Sequence, residues 1–162
     1  MRIIAWSSSL TQESADQKAE EAGLPAMTQA GEPTFLVVSK ETLFRDADVL
    51  SVHYVLSERS RGIVSKADLA HMKPSALFVN TSRGPLVVEQ DLLEVLEKNG
   101  IRGAALDVFD LEPLAPKSRW RSTAWGSKVS NIFNQKGKYQ IEHQLFERFL
   151  KGSSLLRTQT LL

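Results

Sequence analysis

Ala76-Leu-Phe-Val-Asn-Thr-Ser-Arg83-Gly-Pro85 and, one helix later, Gly103-Ala-Ala-Leu-Asp107-Val-Phe-Asp-Leu-Glu112-Pro113 are two apolar strands that each run into a charged turn. Apolar runs without polar alternation read as strands buried on both faces, as in a parallel sheet under helices. Between them, Glu89 to Lys98 puts Leu92, Leu93, Val95 and Leu96 on one helical face, and Asn99-Gly100 stops the helix. Each strand therefore delivers its polar end to the same edge of the sheet. In open α/β sheets ligands bind at that edge, because helix N-termini and free backbone N–H groups converge there. Arg83 and Glu112 are predicted to face one crevice.

The pattern extends outward in both directions. Arg2-Ile-Ile-Ala-Trp6 reads as a strand, and Thr11 to Ala22 as a polar helix capped by Thr11 and ended by Gly23 and Pro25. Thr34 to Val38 is the next strand, Ser39 opens a helical turn, and Asp48 to Val55 resumes the β pattern. Ser65 to Met72 is helical in its spacing and Lys73-Pro74 stops it. This alternation predicts an α/β fold, a doubly wound parallel sheet with helices on both faces. Residues 1–126 are expected to form that unit, and 127–162 a divergent tail with a late amphipathic helix from Tyr139 to Gly152.

Composition excludes several classes. The 162 residues carry 20 basic and 19 acidic side chains, interleaved, with a formal net charge of +1, so no electrostatic footprint for nucleic acid is present. There is no cysteine and there are three scattered histidines, which leaves little for a metal cluster; no metal is expected. No apolar run approaches the roughly 20 residues of a membrane span. The expectation is a soluble, cytoplasmic protein with no membrane partner.

Asn80-Thr-Ser-Arg83-Gly84, the Asp107 to Pro113 block and the helix between them resemble the NAD-dependent D-isomer-specific 2-hydroxyacid dehydrogenases. The resemblance covers roughly residues 1–126 and implies a Rossmann-like domain, an NAD or NADP cofactor, a small 2-oxo or 2-hydroxy acid substrate and a homodimer in the complete enzyme. It implies that Arg83 binds the substrate carboxylate and polarises its carbonyl, as a guanidinium fork is suited to do. It implies that Glu112 hydrogen-bonds a histidine that exchanges the proton, a pairing that raises an imidazole pKa. Along the cofactor it places Asp107 on the nicotinamide carboxamide, Thr81 through its backbone carbonyl, Ser82 beside it, Tyr54 and Val55 on the adenosine wall, and Ser7 near the ribose. Outside the family pattern, Arg83 reads as a solvated turn residue and Glu112-Pro113 as a loop. Asp107 sits on an apolar strand and is expected to have a fixed donor. His53 alone reads as a hydrogen-bonded core histidine, and Arg59-Ser60-Arg61 as a solvated helix start or a phosphate clamp.

The sequence departs from the family at both ends. No Gly-x-Gly-x-x-Gly occurs in the chain, so the first strand and its glycine-rich pyrophosphate loop are expected to be lacking. Where an acid usually takes the ribose hydroxyls the chain reads Ser7-Ser8-Ser9, which leaves NAD against NADP open. Where a Pro-His turn would carry the catalytic histidine it reads Ser127-Lys-Val-Ser-Asn-Ile-Phe-Asn, as though a segment were skipped; His143, off the apolar stripe, reads as a surface residue. A noncatalytic nucleotide-sensing or corepressor-like module is the alternative to an oxidoreductase. Without a central first strand, the Ile3-Ile4 and Val49 to Val55 strands would have bare edges, and direct pairing or association is predicted.

Overall fold

The computed structural model describes residues 2–121, 129–131 and 158–161. Seven strands, all parallel, form one sheet: β1 (Arg2–Ala5), β2 (Phe35–Val37), β3 (Val49–Val52), β4 (Leu77–Asn80), β5 (Gly103–Leu106), β6 (Val129–Asn131) and β7 (Thr158–Leu161). The helices are α1 (Gln12–Glu21), α2 (Lys40–Asp46), α3 (Lys66–Leu69) and α4 (Glu89–Glu97). The expected late helix and His143 lie outside the described residues.

Local chemistry sets the helix boundaries. Thr11 Oγ1 accepts the Ser14 N–H at 3.2 Å while Ser14 Oγ accepts the Thr11 N–H at 3.2 Å, so α1 starts on a reciprocal cap. Ser39 Oγ accepts the Thr42 N–H at 3.1 Å and starts α2. At the end of α4, Asn99 and not Gly100 takes the left-handed conformation, with φ 54. Asparagine tolerates that region better than most residues.

The strand order is β2-β1-β7-β3-β4-β5-β6. From β2 to β5 it matches the doubly wound order 3-2-1-4-5-6, with β7 standing where the first strand stands and β6 added beyond β5. The expectation that β1 and β3 pair directly is therefore corrected: β7 lies between them. Its register sets Ile3, Ile4 and Ala5 against Gln159, Thr160 and Leu161, and Val49, Leu50 and Ser51 against the same three. The backbone groups of both edges are thereby paired, which removes the cost of leaving them orphaned.

The core sits around β3, β4 and β5. Leu43, Phe44, Leu50, Phe78, Leu86 and Leu96 are fully buried there. Burying each such side chain contributes roughly 1.5–3 kcal/mol against the entropy of ordering the chain. This packing fixes the carboxyl ends of β3, β4 and β5 in relation to one another, and those ends carry most of the candidate site.

Candidate functional site

The two motifs meet through their backbones. An ideal Cβ on Gly84 would lie 2.1 Å from both the carbonyl carbon and the carbonyl oxygen of Phe109. Only a residue without a side chain lets the turn after β4 approach the turn after β5 this closely. Arg83 precedes that contact and Glu112 follows it by three residues, so the loops bearing them are held side by side.

Both turns are braced from within. Asn80 is 1% exposed; its Nδ2 donates to the Arg83 carbonyl at 3.0 Å and its Oδ1 accepts the Ser82 N–H at 3.1 Å. The Arg83 guanidinium is exposed, donates to the Ser82 carbonyl at 2.7 Å, and forms no ion pair among the described residues. It is a fork with donors to spare for an anion. Glu112 is also exposed, and its Oε1 accepts the Phe109 N–H at 2.9 Å, which turns the loop back on itself. The Glu112–Pro113 peptide is cis. Glu89, at the start of α4, accepts the Asp110 N–H at 3.3 Å through Oε2 and ties the loop to the helix.

Asp107 follows directly on β5, and its N–H donates to the Asn80 carbonyl at 3.0 Å. Its half-buried carboxylate has no hydrogen-bond donor among the described residues. Burial first, and the negative charge of Glu112 second, push its pKa above the usual carboxylate value. A desolvated acceptor beside a second carboxylate at a sheet edge is suited to a donor brought in by a ligand, such as a primary amide.

A hydrogen-bonded track joins this end to β1. Ser82 Oγ donates to the Tyr54 carbonyl at 3.0 Å, and Tyr54 Oη lies 2.8 Å from Ser8 Oγ. Tyr54 stacks on Trp6 with ring centroids 6.2 Å apart and planes 21° from parallel, and Lys40 Nζ lies 5.6 Å from the Trp6 ring centroid. Sequence reasoning passed over Trp6 and Ser8; an aromatic residue closing a strand just before three hydroxyls was the available signal. Val55 is 80% exposed. Thr81 is exposed directly after β4, and the Ser7 carbonyl accepts the Leu10 N–H at 3.4 Å in the turn after β1.

Other candidates are spent locally. His53 is exposed and its Nε2 lies 2.9 Å from Ser51 Oγ, so it is not the buried core histidine that its isolated reading predicted. Ser60 is 1% exposed, with its hydroxyl on the Val55 carbonyl at 2.7 Å, and Arg61 pairs with Glu58 at 3.2 Å, so these two are engaged within their own turn. Trp120 packs on Phe109 with centroids 6.0 Å apart. It borders a void of about 10 Å³ under the two motifs, too small for a substrate.

A dinucleotide fits this surface at one end. Asp107 and the exposed Thr81 suit a nicotinamide amide, and Tyr54 and Trp6 offer a wall for a planar ring. For the pyrophosphate, no Gly-x-Gly-x-x-Gly turn is present among the described residues.

Comparison with known proteins agrees with this geometry. The family model of the D-isomer specific 2-hydroxyacid dehydrogenase, NAD binding domain, matches residues 1–127. A hydroxypyruvate reductase of Blautia hydrogenotrophica is 34% identical over 125 residues, covering 72% of this chain and 38% of that protein. The crystal structure of a phosphoglycerate oxidoreductase from Vibrio cholerae superposes with a TM-score of 0.62 at 35% identity, over 94% of this chain and 45% of the other. An NADPH-dependent glyoxylate/hydroxypyruvate reductase from Sinorhizobium meliloti, in complex with NADP and sulfate, gives a TM-score of 0.55 at 25% identity, over 93% of this chain and 52% of the other. The chain spans 25% to 38% of the length of the first two curated relatives it matches.

Proposed function

The chain belongs to the D-isomer specific 2-hydroxyacid dehydrogenases through their NAD-binding domain, and from that membership we propose that it carries the nicotinamide and substrate-anchoring side of a 2-hydroxyacid oxidoreductase. The observation that carries the reading is the backbone contact between Gly84 and Phe109, which sets an unpaired guanidinium beside the loop of Glu112 and the donor-free Asp107. Arg83 is the group that grips the carboxylate of a 2-oxo acid and draws charge toward its carbonyl oxygen. Glu112, held by the Phe109 N–H, is the group that orients and charges a histidine acting as acid and base. Asp107 and the Thr81 carbonyl hold the amide of the nicotinamide, with Ser82 supporting them, while Tyr54, Val55 and Ser7 flank the adenosine portion. When bound, NAD or NADP supplies or removes the hydride.

Two of the relatives named above are a hydroxypyruvate reductase and a glyoxylate/hydroxypyruvate reductase, which supports a short 2-oxo acid as substrate and supports an oxidoreductase over a corepressor-like module. We take the protein as cytoplasmic, its complete form as a homodimer, and residues 1–126 as the unit that carries the site, with 127–162 as a divergent tail. Among the described residues no helix is long and apolar enough to cross a membrane.

Saturation-transfer NMR of the purified chain with NADH, then with hydroxypyruvate, tests the reading. The expected dissociation constant for NADH is on the order of millimolar, several kcal/mol weaker than a complete site, because no glycine-rich turn grips the pyrophosphate. Hydroxypyruvate contacts are expected to vanish in Arg83→Ala. No saturation of NADH at any concentration would remove the reading, and a micromolar constant would mean that the pyrophosphate is held elsewhere.

A further inference from the structure

The indole of Trp120 is buried beneath the two site motifs and its N–H is unanswered. Trp120 is 4% exposed, and its Nε1 has no hydrogen-bond partner among the described residues. An indole N–H can only donate, and buried polar groups in folded proteins as a rule bond to protein or to ordered water. The two aromatic rings of this corner, Trp120 and Phe109, pack with centroids 6.0 Å apart, and a ring face offers the indole N–H no oxygen acceptor.

Trp120 lines the void of about 10 Å³ together with Asn80, Gly84, Val87, Glu89 and Phe109. That volume is close to what one water needs and far below what an organic ligand needs. Voids that stay dry are apolar, whereas a buried water takes about two to four polar partners. This lining supplies them from three separate elements. Asn80, at the end of β4, spends one Nδ2 hydrogen on the Arg83 carbonyl and one Oδ1 lone pair on the Ser82 N–H, so its amide keeps a donor and an acceptor. Glu89, at the start of α4, accepts the Asp110 N–H through Oε2, and a carboxylate has capacity beyond one bond. Leu92, Leu106 and Val108 make the rest of the lining apolar, which confines a polar guest to these groups.

We propose that this void is a binding site for a single water molecule, which accepts the Trp120 indole N–H, donates to the Glu89 carboxylate and takes its third contact from the Asn80 amide. Its consequence is a link between the two motifs. Asn80 braces the turn of Arg83, Glu89 holds Asp110 in the loop of Glu112, and Trp120 backs Phe109, whose N–H donates to Glu112. One water thereby ties β4, α4 and the turn at 119–121 together beneath both loops.

The test is NMR cross-relaxation between water and side-chain N–H groups in the isotope-labelled full chain. The sequence has three tryptophans, and the indole signal lost in Trp120→Phe is that of Trp120. In the wild type, the Trp120 indole proton and an Asn80 Nδ2 proton are both expected to show contact with a water that tumbles with the protein. The intensity is expected to be independent of pH, which separates the contact from chemical exchange. Val87→Ile adds one methyl group to a lining side chain that is 5% exposed, and is expected to abolish both contacts while the indole signal remains. The wild-type measurement decides the matter by itself where that variant does not fold. A slowly exchanging indole proton with no water contact would overturn the proposal in favour of a dry void, and one in rapid exchange with bulk solvent would overturn it by showing the site to be open. Contact at the indole without contact at Asn80 would overturn the shared site, and contacts that persist in Val87→Ile would place the water elsewhere.

Discussion

The Cα of Gly84 and the carbonyl of Phe109 are so close that a methyl group between them would sit 2.1 Å from carbon and oxygen alike. Gly84 does not have a positive φ, so what it provides is space. The obstructing atoms are backbone, with no flexible tip to swing aside. Gly84→Ala is therefore expected to push the turn at 109–112 away from the turn at 81–85 and to cost about 1–3 kcal/mol, as overpacking does. Denaturant unfolding with an unchanged slope and a lower midpoint checks it. Gly23, where an added Cβ would meet nothing within 4 Å, is the control for space, although its φ of +73 adds a conformational cost of its own.

Asp107 predicts a pH dependence with a definite sign. Burial and the charge of Glu112 raise its pKa in the folded state. The folded protein thus holds this proton more tightly than the unfolded chain does. The stabilisation is fully present below the unfolded value of 3.8 and is lost as pH rises through the raised folded value. Asp107→Asn removes the ionisation and is expected to raise the melting temperature at pH 7 while changing it least below pH 4. An equal gain at both pH values would mean that the effect is not ionisation.

Asp68 predicts the opposite slope. Burial alone would raise its pKa, but the Lys40 ammonium at 2.8 Å and the Ser65 N–H and hydroxyl, each at 2.9 Å, outweigh it and the net shift is downward. Its contribution is present above the unfolded value of 3.8 and is lost as pH falls through the lowered folded value. Because Lys40 starts α2 and Asp68 lies in α3, the pair ties the two helices together. Asp68→Ala is expected to cost about 1–2 kcal/mol at pH 7, for a lost cap and a charge-assisted hydrogen bond. Urea midpoints of the wild type and the variant are expected to converge as pH falls below 3.8 and through the lowered folded value.

Much of this was legible in the sequence, for local reasons. The capped start of α1 at Thr11, the stop of α4 at Asn99-Gly100 and the apolar runs of β4 and β5 are encoded within a few residues of where they act. The family's two blocks fixed attention on Arg83, Asp107 and Glu112. β7 was not legible, because Thr-Gln-Thr-Leu has no apolar signature and its role comes from two edges more than 100 residues away in the chain. Nor was the Gly84 contact, since a glycine after an arginine reads equally as a turn. The Trp6–Tyr54–Ser8 cluster joins the ends of β1 and β3, which are neither paired in the sheet nor adjacent in sequence.

Chemistry gives the last prediction. Reducing a 2-oxo acid requires a proton for the nascent alkoxide as well as a hydride, and a positioned general acid typically contributes about 100-fold to 10,000-fold in rate. In the role proposed for it Glu112 orients an imidazole, yet its carboxylate is engaged by the Phe109 N–H and no described histidine bonds to it. The Pro-His turn expected to supply one is replaced by Ser127-Lys-Val-Ser-Asn-Ile-Phe-Asn. The purified chain is therefore expected to show no measurable oxidation of NADH or NADPH at 340 nm with glyoxylate, pyruvate or hydroxypyruvate, even where Arg83-dependent binding is seen. Turnover that persists through purification and disappears in both Arg83→Ala and Glu112→Gln would overturn this and require a proton donor that bonds to Glu112; turnover lost in Arg83→Ala but kept in Glu112→Gln would place that donor elsewhere.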